Sequence, residues 1–134
     1  MAQAQTRSRK LSELNALIDS DVLLDFLDGY RAAAAEIARY RECCVSIISW
    51  MELLAGARTQ ADEDVRREFL AHFRLVPLTP EVAEEAVALR RKYRLKLPDA
   101  IIWASAINEN CVLVSRNTKD FPAHQPGVRF PYRR

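Results

Sequence analysis

The chain has 134 residues, 49% of them hydrophobic, and a formal net charge of +2; this suits one folded domain and excludes a disordered or collagenous chain. No apolar run approaches the roughly 18 residues of a membrane span, and the polar start MAQAQTRSRKLSEL lacks the apolar segment of a secretory signal. The mild positive balance is compatible with an anionic partner without demanding one, and Cys43, Cys44 and Cys111 follow no metal or disulfide spacing, so they read as buried reduced thiols of a cytoplasmic protein.

Residues 1–14 are expected to be a polar, flexible extension, with residues 15–134 forming a single domain. The RSRK cluster in the extension reads as a frayed tail or, less readily, a nucleic-acid contact. Residues 15–19 predict a first strand, and a helix over 20–27 can be capped by Asp19 or Ser20. An alanine-rich stretch predicts a helix over 31–41. CCVSIIS, residues 43–49, is apolar on both faces and predicts a central parallel strand. Ser49 is then the expected cap of a helix over 50–57.

Val65, Phe69, Leu70 and Phe73 share one face of a helix over 62–73. A short strand is expected over 75–78. Thr79-Pro80 offers a hydroxyl cap followed by proline at the first helical position. Pro98 opens a further helix, CVLVS at 111–115 predicts a second buried strand, and 128–132 a final edge strand that tolerates Pro131. Trp50 and Trp103 are expected in the core. This alternation predicts an α/β fold with three α/β/α layers around a parallel sheet of about five strands.

In such sheets ligands gather beyond the carboxyl ends of the strands. Asp19 ends the first strand, Glu52 is expected in the first turn after the second, Asp99 lies just inside the Pro98 helix, and Asp120 follows CVLVSRNTK. Each acid near a helix start can be explained by the helix dipole alone. Together, like charges at one rim repel unless a cation intervenes. Mg2+ or Mn2+, which take oxygen ligands, suit such a set. Zinc suits it less, because His72 and His124 have no partner at ligand spacing.

IDSDVLLDFL, SWMELLAGA, LPDAIIWASAI and LVSRNTKDF, in that order, resemble the PIN-domain ribonucleases, and in particular the VapC toxins of toxin–antitoxin pairs. The likeness spans about residues 15–132. It implies catalytic roles for Asp19, Glu52, Asp99 and Asp120, with Asp19, Asp99 and Asp120 as metal ligands. It further implies hydrolysis of RNA phosphodiesters by a water activated on Mg2+ or Mn2+, a VapB-like antitoxin, a homodimer and a tRNA- or rRNA-class substrate. In the antitoxin-binding mode, the segment 62–73 contributes to the groove.

Some positions depart from the family pattern. Asp19-Ser20-Asp21 stands where Asp-Thr-Asn is common, so Ser20 keeps the hydroxyl. Asp21 is either an extra ligand or a helix cap. Ser115 stands where threonine is usual, and Asn117 is the expected polar companion of the acids. Asp25 and Asp28 read as surface acids. Arg90, Arg91, Arg94 and Lys96, with Arg116 and Lys119, are candidates for RNA phosphates, or else ordinary solvated charges. Two rival readings remain: a PIN nuclease without an antitoxin, and a catalytically silent module that binds nucleic acid or protein.

Overall fold

The structure, a computed structural model, describes residues 15–122 and 125–134. The N-terminal extension with its RSRK cluster, and His124, lie outside the described residues. Among the described residues there are five strands and six helices, the helices following each of the first three strands in pairs. The strands are β1 (Asn15–Ile18), β2 (Glu42–Ser46), β3 (Arg74–Val76), β4 (Val112–Val114) and β5 (Val128–Arg129). The helices are α1 (Ser20–Leu27), α2 (Arg31–Ala38), α3 (Ile47–Ala55), α4 (Gln60–Leu70), α5 (Pro80–Tyr93) and α6 (Leu97–Asn108).

The five strands form one sheet in the order β3-β2-β1-β4-β5, and every pairing is parallel. β1 lies at the centre, pairing Leu17 with Cys44 on one side and with Leu113 on the other. Side chains alternate across a strand, so β1 feeds two cores. Leu17, Cys44 and Leu113 pack with Val82, Ala86 and Ile102 of α5 and α6. Ala16, Ile18, Val45 and Val114 pack on the opposite face with Val22, Leu23, Ala33, Leu53 and Leu70. These two apolar layers make the expected α/β/α sandwich. Helix α6 is buried continuously from Ala100 to Ala106, which explains its lack of a polar stripe. Trp103 is buried and Trp50 half-buried.

Several element ends fall a few residues from expectation, and the difference after β2 bears on the site. The apolar run CCVSIIS does not remain a strand to Ser49; β2 ends at Ser46. The Ser46 hydroxyl accepts from the Ile48 N–H at 3.1 Å and caps α3. Ile47 and Ile48 are thus helical despite their β-branched side chains, because a satisfied N-cap outweighs a small propensity difference. Glu52 consequently lies in the second turn of α3, not the first, and α3 has no acidic residue in its first turn. The helix-dipole account of Glu52 therefore loses its basis. At the sheet edges the strands are shorter than expected. Pro77, which has no N–H to donate, follows β3 directly, and β5 ends before Phe130 and Pro131.

Candidate active site

The site stands at the carboxyl edge of the sheet, where β1, β2 and β4 end. A helix joining parallel strands runs back against them, so its N-terminus lies at this edge. The first turns of α1 and α6 therefore face the strand tips and bring Asp19, Asp21 and Asp99 to one rim.

Asp19 is the N-cap of α1: its Oδ1 accepts from the Ser20 N–H at 2.8 Å. Its backbone N–H donates to the Val114 carbonyl at 2.9 Å, continuing the β1–β4 ladder. Its Oδ2 accepts from the Ser115 hydroxyl at 2.7 Å. Ser115 in turn accepts from the Asn117 N–H at 3.0 Å. Asn117 and Asp120 close a reciprocal pair: the Asn117 amide donates to Asp120 Oδ2 at 2.9 Å, and the Asp120 N–H donates to Asn117 Oδ1 at 3.1 Å. The turn after β4 is thus held to Asp19 by hydrogen bonds. On the other side, the Ser20 hydroxyl donates to Glu52 Oε1 at 3.0 Å, tying α1 to α3. Glu52 is exposed, while Asp99 and Asp120 are half-buried.

The electrostatics follow from crowding. Burial, and then the neighbouring charges of Asp21 and Asp99, push Asp19 up to about 7 against the Ser115 and Ser20 hydrogen bonds. Burial also raises Asp21, against the N–H and charge of Arg116 and the nearby N–H of Val22, which lies outside hydrogen-bonding geometry. Asp99 is raised by burial and by the charges of Asp120, Glu52 and Asp21, which outweigh Lys96. Five carboxylates from four segments therefore act on one another. At the rim one buried atom lacks a partner among the described residues: Asp21 Oδ2 accepts from the Arg116 N–H at 3.1 Å, but Asp21 Oδ1 has no donor in hydrogen-bonding geometry. A buried carboxylate oxygen without a donor is costly.

These features suit a hard cation: an all-oxygen donor set, mutual repulsion and an unpartnered buried oxygen. Among the described residues no three His, Cys, Asp or Glu side chains are gathered tightly enough to hold a metal by themselves. A cation that keeps part of its water shell, as Mg2+ does, needs no complete protein cage.

The basic residues divide into two groups. Arg90, Arg91, Arg94 and Lys96 line a surface hollow of about 520 Å3 where α5 leads into α6, directly before Asp99. Arg94 turns the chain in the left-handed region at φ 57, and Arg90 Nη1 donates to the Leu95 carbonyl at 3.0 Å. Lys119 is exposed in the turn beside Asp120. Arg116 differs: its Nε and Nη2 donate to Asp25 at 2.6 and 3.3 Å. Its guanidinium is thus engaged within the fold.

Asp25 corrects the reading as a surface acid. It is 3% exposed and accepts from Tyr132 OH at 2.7 Å and Arg134 Nη1 at 2.6 Å as well as from Arg116. Burial alone would raise it; the donors of Tyr132, Arg134 and Arg116 hold it below the usual carboxylate range. Asp28 is a surface acid as expected, with its side chain 64% exposed. Away from the site, α1, α2 and α4 enclose an open cavity of about 590 Å3, lined by Phe26, Leu27, Ile37, Tyr40, Phe69 and Phe73 among others.

The PIN domain family model matches residues 16–124. Over 114 residues the chain is 35% identical to Ribonuclease VapC10 of Mycobacterium tuberculosis, an alignment covering 79% of this chain and 85% of that one. The chain belongs to the PIN-domain family. A toxin–antitoxin complex from Klebsiella pneumoniae contains a PIN-like chain with TM-score 0.82 and 42% identity, covering 87% of this chain and 98% of the other. FitAcB of Neisseria gonorrhoeae shares the PIN fold at TM-score 0.71 and 22% identity, covering 87% and 97%. The PIN fold accounts for the position of the rim. On that rim Ser20, Asp21 and Ser115 carry the polar contacts to Glu52, Arg116 and Asp19.

Proposed function

We propose that the protein is a Mg2+- or Mn2+-dependent endoribonuclease, the toxin of a VapBC-type pair. The observation that carries this reading is the crowded rim: five mutually repelling carboxylates, one with a buried oxygen that no donor among the described residues reaches in hydrogen-bonding geometry. Asp19, Asp99 and Asp120, with Asp21, would hold the ion, and Glu52 would complete the acidic wall. When bound, the cation supplies a water of lowered pKa and neutralises charge on the scissile phosphate. Asp19, held by Ser115 and Ser20, would orient that water. Asn117 keeps Asp120 aimed at the rim, and Arg90, Arg91, Arg94, Lys96 and Lys119 would draw in the RNA backbone. Arg116 is less suited to that role because Asp25 already holds its guanidinium.

The named relatives support an antitoxin partner. The cavity between α1, α2 and α4 suits an amphipathic helix from a VapB-like protein, its aromatic and aliphatic lining offering side-chain pockets. A homodimer and a tRNA- or rRNA-class substrate follow from the family likeness. A cytoplasmic site of action likewise follows from the family likeness, and among the described residues no helix is long and apolar enough to cross a membrane.

Purified protein should cleave total RNA with Mg2+ or Mn2+ and stop on chelation. Asp99→Asn should lower the rate by at least about a hundredfold, the scale of a lost catalytic group, with unchanged circular dichroism. Full activity in that variant, or in excess chelator, would defeat the reading. A folded protein that binds RNA without cutting it would favour the silent-module alternative. Cleavage without a neighbouring antitoxin gene would favour a PIN nuclease outside such pairs.

A further inference from the structure

Asp25 stands four residues beyond Asp21, one turn along α1, and has no part in the chemistry above. It nevertheless gathers Arg116, Tyr132 and Arg134 onto one buried carboxylate. Arg116 lies between two acids. Its backbone N–H donates to Asp21 Oδ2, while its guanidinium turns to Asp25. With its backbone bonded to Asp21 and its guanidinium to Asp25 one helical turn away, the Arg116 side chain stands beside the site. Among the described residues no donor reaches Asp21 Oδ1 in hydrogen-bonding geometry.

A guanidinium and a divalent cation compete for the same carboxylate. Arginine cannot withdraw by losing its proton, since it stays charged at every physiological pH. Only a better acceptor keeps it away. Asp25 is one: it receives two N–H groups of the same guanidinium, and Tyr132 and Arg134 hold the carboxylate in place. We infer that Asp25 is a positioning residue that keeps the Arg116 guanidinium off the site carboxylates and so leaves Asp21 open to the metal ion. The inference rests on the metal-dependent reading above.

A scaffold and a restraint on Arg116 differ in sign. If the Asp25–Arg116 pair only stiffened the turn, removing Arg116 would loosen the site and weaken ion binding. If Asp25 restrains a competitor, removing Arg116 spares or tightens ion binding. The test is Mn2+ titration of the full chain, with free Mn2+ read by electron paramagnetic resonance, which needs no turnover. Asp25→Asn should weaken Mn2+ binding by about tenfold or more, as expected when a cation moves beside a carboxylate. Arg116→Gln alone should bind Mn2+ at least as tightly as wild type. The double variant should bind more tightly than Asp25→Asn alone.

A double variant no better than Asp25→Asn would overturn the inference, as would weakened binding in Arg116→Gln. If Asp25→Asn fails to fold, Arg116→Gln decides alone. Wild-type protein that binds no Mn2+ removes the metal reading and this inference together. Wild-type binding that Asp25→Asn leaves unchanged removes only this inference.

Discussion

Asp19 shows how much one carboxylate carries. It caps α1, extends the β1–β4 ladder through its backbone and accepts the Ser115 hydroxyl. Burial raises it from 3.8 to about 7, so the folded state holds a proton that the unfolded chain releases. The resulting stability is whole below pH 3.8 and lost as pH rises through about 7. Urea unfolding in chelator should show wild type losing stability relative to Asp19→Asn between pH 5 and pH 8; parallel curves would mean an ordinary carboxylate. The strand-end position of Asp19 was legible in the sequence, because an apolar run stops there. The role of Asp25 was not: its partners lie 91 to 109 positions away, and local pattern shows only an acid on a helix near other acids.

At the scale of the element, the start of α3 depends on which of two serines caps it. Both follow apolar residues, and the β-branched stretch between them is compatible with strand or helix, so periodicity alone cannot choose. The structure distinguishes them chemically. Ser46 Oγ accepts from the Ile48 N–H, whereas Ser49 Oγ is buried with no partner among the described residues. Ser46→Ala should cost about 1 kcal/mol, the usual loss of an N-cap. Ser49→Ala should be neutral or stabilising, since it removes an unsatisfied hydroxyl. Thermal unfolding of the two variants separates them; equal losses would contradict the observed boundary. The shift of three residues also changes Glu52, which belongs to the second turn and meets Ser20 across the rim.

At the scale of the molecule, the alternation of strands and helices made the α/β class and the rim legible, because parallel connections send helix starts and strand ends to one edge. The cavity between α1, α2 and α4 was not legible as a whole. Sequence showed the apolar face of α4, but Phe26, Leu27 and Ile37 come from two other helices, and only packing brings them together. The fold also brings acids from four segments to one rim, so an ion that binds only the folded form should stabilise the whole domain. Mn2+ at about a hundred times its Kd should add about 2.7 kcal/mol to unfolding. Calorimetry that shows no gain with Mn2+, but full activity, would place the ion in the reaction without a preformed site.

The central place of β1 also sets when the site can exist. Asp19 is among the first described residues, while Ser115, Asn117 and Asp120 come nearly a hundred positions later, and β4 must pair with β1 before they meet. Proteins are made from the N-terminus at about 5–20 residues per second. A chain still being synthesised therefore carries its first acid for several seconds with no site to complete. Any fragment ending before β4 lacks Ser115, Asn117 and Asp120, however well its first helices fold. The topology thus withholds the proposed site until β4 and the turn after it have been made, and until then a nascent chain holds only part of that acidic rim.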